Sequence, residues 1–79
     1  MSILSVATST TAVLGGGFHE KVYLDNRGSN TIWVIIGEPA VLNEGIPLDS
    51  SASIILENVT GEINGIAETG ATNLSVYEN

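Results

Sequence analysis

Few residues in this sequence have the type and spacing to do chemistry. His19-Glu20 sets a base beside a carboxylate, but neighbours in an extended strand point to opposite faces, so the two diverge instead of forming a dyad. His19 therefore reads as a surface histidine. Gly15-Gly16-Gly17 has the composition of a phosphate loop, yet no Lys-Ser/Thr follows and no helix opens there. It reads as a flexible joint. Asp25-Asn26 and Asn30 offer oxygens to calcium, but the spacing of an EF-hand loop is missing and turn chemistry accounts for the same residues. No serine sits in a Gly-x-Ser-x-Gly elbow. The absence of cysteine removes disulfides, thiolate metal sites and thiol nucleophiles, and a single histidine leaves too few ligands for a histidine metal site. No nucleophile, base and orienter can be assembled, so neither enzyme activity nor a cofactor or metal is expected.

Charge narrows the partners. Nine acids face two bases, Lys21 and Arg27, for a net charge of −7. Nucleic acid and anionic lipid both demand clustered cations, so neither is an expected partner. The acids are spread along the chain as on a solvated surface. No apolar run reaches the roughly 20 residues of a helical membrane span, and Met1–Leu4 lack the basic start of a signal peptide. The sequons at Asn58-Val59-Thr60 and Asn73-Leu74-Ser75 read as chance matches in a chain rich in these residues.

The elements that must position these residues are strands. Residues 18–25 alternate, with Phe18, Val22 and Leu24 on the face of Glu20, and His19, Lys21, Tyr23 and Asp25 on the other. Asp25 to Asn30 is a dense turn signal. Residues 31–36 (Thr-Ile-Trp-Val-Ile-Ile) are β-branched and apolar on both faces, as in a strand buried on both sides, and Gly37-Glu38-Pro39 stops them. Asn43-Glu44-Gly45 reads as a turn, Pro47 marks an edge or irregular segment, and residues 52–58 form a strand with Ile54 and Leu56 on one face. Residues 62–67 read as one strand, with Gly65 allowing close approach instead of a hairpin turn. Residues 72–77 close the chain with Leu74 and Val76 inward. About seven short strands at this spacing imply an all-β, single-domain antiparallel sandwich or barrel. Residues 1–17 form an N-terminal strand or arm ending in the glycine joint, and 18–79 form the core.

Trp33 and Ile35 need a cover. If Ile32, Val34 and Ile36 fill the core, these two make an apolar patch on the outer face. A second layer of the same monomer or a subunit interface would bury it, and both readings stay open. Trp33, Ile35 and Tyr23 are the candidates for an oligomer or capsid interface.

The run Val22-Tyr23-Leu24-Asp25-Asn26-Arg27-Gly28-Ser29-Asn30-Thr31-Ile32-Trp33-Val34 resembles a block of small bacteriophage virion domains. That block reads hydrophobic-x-hydrophobic-x-Asn-x-Gly-Ser-x-x-hydrophobic-aromatic-hydrophobic. Gly37, Gly45-Ile46-Pro47-Leu48, an extended segment at 53–57, Gly-x-Ile-x-x-Ile-Ala at 61–67 and the terminal strand follow in the same order. The resemblance spans about residues 18–78. Relatives carry a short polar segment ending in Arg before the first core strand, where this chain has glycines and Phe18-His19-Glu20-Lys21, so it does not extend to the N-terminal region. It implies a head-decoration or cement protein of the outer capsid surface, a homotrimer bound to the major capsid protein and without catalytic residues. A receptor- or carbohydrate-binding module of a tail fibre or spike is the alternative, although only four aromatics are present.

Overall fold

The computed structural model describes residues 2–79; Met1, within the predicted N-terminal segment, lies outside the described residues. Eight strands follow one another: β1 (Ser2–Val6), β2 (Thr11–Leu14), β3 (Phe18–Asn26), β4 (Ile32–Ile36), β5 (Ile46–Leu48), β6 (Ser53–Thr60), β7 (Ile63–Ala67) and β8 (Thr72–Glu78). They form two four-stranded antiparallel sheets, ordered β1-β8-β3-β6 and β2-β7-β4-β5. The strands nest around the chain midpoint, first with last: β1 with β8, β2 with β7, β3 with β6 and β4 with β5. That is the strand order of a jelly roll. The expected all-β sandwich is what forms, with one strand more than expected because the N-terminal segment supplies two, one to each sheet.

The core lies between the sheets. Val6, Val22, Leu24, Leu74 and Val76 from one sheet meet Ile32, Val34, Leu48, Ile63 and Ala67 from the other. The period-two alternation of β3 and β8 delivers these residues to one face. Apolar burial of this kind is the main stabilising term for so small a domain. Residues 63–67 form a single strand, and an added Cβ at Gly65 would lie 3.4 Å from Ile32 Cγ2 and Val13 Cγ2, in ordinary contact. Pro47 sits on β5, an edge strand, where a missing backbone donor costs no ladder bond.

Asn26 ties the turns at one end of the sandwich. Fully buried, its carboxamide donates to the carbonyls of Asn30 (2.7 Å) and Leu48 (2.8 Å) and accepts from Gly28 N–H (3.0 Å). Its backbone N–H donates to Ala52 and its carbonyl accepts from Ser51. The asparagine of the turn block thus joins the β3–β4 connection to the β5–β6 connection. Asn30 is likewise engaged, donating to Gly70 and accepting from Thr69. Turn chemistry engages the side-chain oxygens of both Asn26 and Asn30.

Three local expectations need correction. Phe18 is 63% exposed and does not share the core face of Val22 and Leu24. His19 is buried instead, 6% exposed. The β3–β6 ladder runs through His19↔Val59 and Lys21↔Glu57 but skips the Glu20–Asn58 step, where Asn58 has φ 53°. This irregularity, with one residue of each strand left out of the ladder and the register unshifted, breaks the alternation. The glycine run, expected as a flexible joint, is a crossing between the sheets held by hydrogen bonds: Gly61 N–H donates to Gly17 carbonyl (2.8 Å), and Gly15 carbonyl accepts from His19.

Candidate docking face

The outer face of the β1-β8-β3-β6 sheet presents a row of side chains fixed by strand register. Tyr23 stands opposite Tyr77 on β8 and opposite Ile55 on β6. All three side chains therefore project to the same side. The tyrosine rings are 5.7 Å apart at a 49° tilt, an aromatic pair geometry that holds both rings without closing the surface. They remain 37% and 43% exposed, and Ile55 is 54% exposed. An open groove of about 540 Å³ runs beside them, lined also by Asp25, Arg27, Ser53 and Ser75.

Both cations of the chain flank this row. Lys21 Nζ lies 5.8 Å from the Tyr23 ring centroid, within reach of a cation–π attraction. Arg27, two positions beyond Asp25, pairs with it at 3.6 Å in an exposed ion pair that fixes little. In a chain with two bases and two tyrosines, all four sit on one sheet face. Alternation along β3 explains Lys21 and Tyr23, but only the β3–β8 register adds Tyr77, and register is not written in one strand's pattern.

The other two interface candidates are elsewhere. Trp33 and Ile35 lie on the outer face of the β2-β7-β4-β5 sheet, so the structure does not bring them together with Tyr23. Both are half-buried. Trp33 stands between Pro47 and Ile66 and donates its indole N–H to Glu68 (3.3 Å). Residues 37–45, at the tip of the nested hairpin, fold back over this sheet. Asn64 donates to the Glu38 carbonyl (2.7 Å), and Ala40 N–H donates to Thr10 Oγ1 (2.8 Å) beside edge strand β2. The loop returns through Gly45, where φ is 89° and a Cβ would strike Val34 carbonyl and Ile35. Only glycine fits such a position without strain. The apolar outer face inferred from residues 31–36 thus receives cover from within the chain.

His19 is not the surface histidine read from the sequence. Nδ1 faces the Glu78 carboxylate and Nε2 faces the Gly15 carbonyl at 2.9 Å. Both partners are acceptors, so only the doubly protonated ring satisfies both. Its pKa is raised above the ordinary 6.5, chiefly by the hydrogen bond to Glu78, with burial opposing and the Gly15 carbonyl assisting. The charge pair joins the start of β3 to the end of β8. Glu78 is 59 positions away, so no local motif announced it. Both ring nitrogens are engaged, and the pair clamps the two strands together.

No known family model, curated protein or solved structure matches this chain.

Proposed function

We propose that this chain is a structural virion protein, a decoration or cement protein that docks on the outer surface of a phage head through Tyr23, Tyr77 and Ile55. One observation carries the reading: both tyrosines and both cations share an open sheet face, while the apolar outer face of the other sheet is shielded by the chain's own loop. Exposed aromatic rings within a polar rim of mixed charge, Lys21 opposite Glu57 and Arg27 beside Asp25, are what protein docking surfaces favour. The turn block at residues 22–34, which resembles that of phage virion domains, points the same way. Jelly rolls recur in viral capsid and lectin domains, a likeness at the level of fold alone. A domain that binds the assembled shell better than its loose subunits stabilises the shell by mass action. Its remaining surface, which carries the excess of acids, would keep particles apart in solution. Mass spectrometry and cryo-EM of virions of the encoding phage test this. Stoichiometric copies on the head, tyrosine face inward against the major capsid protein, are expected; particles without the chain would overturn it.

The groove favours a second reading. Two tyrosine rings beside a carboxylate, a guanidinium and two serines are the chemistry that holds a sugar, by stacking on its apolar face and hydrogen-bonding its hydroxyls. A carbohydrate- or receptor-binding module of a tail fibre or spike would use it so. Glycan-array binding lost in Tyr23→Ala, together with failed adsorption of particles lacking the protein, would favour this reading over the capsid one.

A further inference from the structure

The four sheet edges differ in how they are defended. An edge strand carries unpaired N–H and C=O groups and joins other strands unless charge, proline, a bulge or a cover prevents it. On one side of the sandwich, β6 carries Glu57 and the left-handed Asn58, and β5 is three residues long with Pro47 at its centre. On the other side, β2 is interrupted by a register shift between Ala12 and Leu14. Edge strand β1, Ser-Ile-Leu-Ser-Val, has none of these devices among the described residues. Its pairing with β8 runs from Ser2↔Val76 to Val6↔Thr72 without a shift, so its outer edge is a regular template.

Charge points to the occupant. Residues 1–17 contain no Asp, Glu, Lys, Arg or His, so all nine acids and both bases fall in residues 18–79. Two copies of a chain at −7 repel wherever acids meet. They can approach at β1 with the least repulsion. We propose that β1 pairs antiparallel with β1 of a second copy, about a two-fold axis at Leu4, and joins two four-stranded sheets into one of eight. In this register Ile3 of one copy stands against Ser5 of the other on the outer face, where both are exposed. The interface is isologous, so a closed dimer forms in place of the homotrimer that the family resemblance implies. It also places two tyrosine rows on one continuous face. The two β3 strands lie five inter-strand steps apart, about 24 Å at ~4.8 Å per step, so a repetitive partner surface would engage both rows with avidity. The pairing holds whether or not the partner is a capsid.

Charge-swap complementation tests it. Sedimentation velocity of the untagged protein across a concentration series should show a reversible monomer–dimer equilibrium. Ile3→Glu/Ser5→Glu and Ile3→Lys/Ser5→Lys alter exposed side chains, and each should weaken self-association about tenfold by setting like charges across the seam. An equimolar mixture of the two variants should restore the dimer. Amide hydrogen exchange on the unmodified protein gives a second readout, with β1 amides becoming more protected as concentration rises and β6 amides unchanged. A monomer at all concentrations, a trimer, unaltered association of the variants, no restoration on mixing, or β1 exchange independent of concentration would each overturn the pairing.

Discussion

On the outside of the β2-β7-β4-β5 sheet, Asn64 and Ile66 are buried although no third layer of strands among the described residues lies over them. On the outside of the β1-β8-β3-β6 sheet, Tyr23, Ile55 and Tyr77 stand open. Both faces carry large apolar groups on central strands, and the difference lies in the 37–45 loop. It crosses the first face, anchored by Asn64 and Thr10, and nothing among the described residues does the same for the second. A face that shields itself contributes to stability, and a face left open in a chain this small is available to a partner. Under the proposed function, the contrast separates residues that hold the fold from residues that would meet another molecule.

The largest effect should come from breaking the cover. Gly45→Val forces a branched side chain into a left-handed conformation and against Val34 carbonyl and Ile35. A loss of about 3 kcal/mol is expected in urea unfolding, with new dye-binding apolar surface around Ile66. Next, Asn64→Ala leaves the Glu38 carbonyl without its buried donor, for about 1–2 kcal/mol. If both variants unfolded at the midpoint of the unmodified protein, the loop would not be a structural cover.

The His19–Glu78 clamp, between the start of β3 and the end of β8, gives a pH signature of its own. The folded pKa of His19 is raised, so its contribution is fully present below 6.5 and is lost as pH rises through the raised value. Melting temperature should therefore fall on going from pH 6 to the alkaline side of that titration, and Glu78→Gln should flatten the slope. An unchanged slope in that variant would remove Glu78 as the cause. The smallest effect on stability belongs to the open face. Tyr23→Ser/Tyr77→Ser should cost about 1–2 kcal/mol, from their ring contact and the partial burial of both rings. A loss as large as that of Gly45→Val would mean the tyrosines hold the fold.

Much of this architecture was legible in residue order. The alternation in β3 and β8, the β-branched run of β4, the edge proline of β5 and the turn at Asp25–Asn30 all locate strands correctly. Local pattern could also place Tyr23 and Lys21 on one face. It misplaced Phe18 and His19, because the left-handed Asn58 that breaks their alternation lies on a different strand. It could not reveal that Tyr77 would join Tyr23, that Glu78 would meet His19, or that 37–45 would fold across Asn64. These are long-range pairings made by nesting the chain first to last, and no single window of sequence contains both partners. The apolar surplus of residues 31–36 was readable, but its cover was not.

The most direct test of the proposed docking compares the unmodified protein with Tyr23→Ser/Tyr77→Ser in co-sedimentation with stripped heads of the phage that the proposed function invokes. The unmodified chain should pellet with the heads, and the variant should remain in the supernatant while still unfolding in one cooperative transition above the assay temperature. Equal pelleting of both proteins, or of neither, would contradict the assignment of this face as the docking surface.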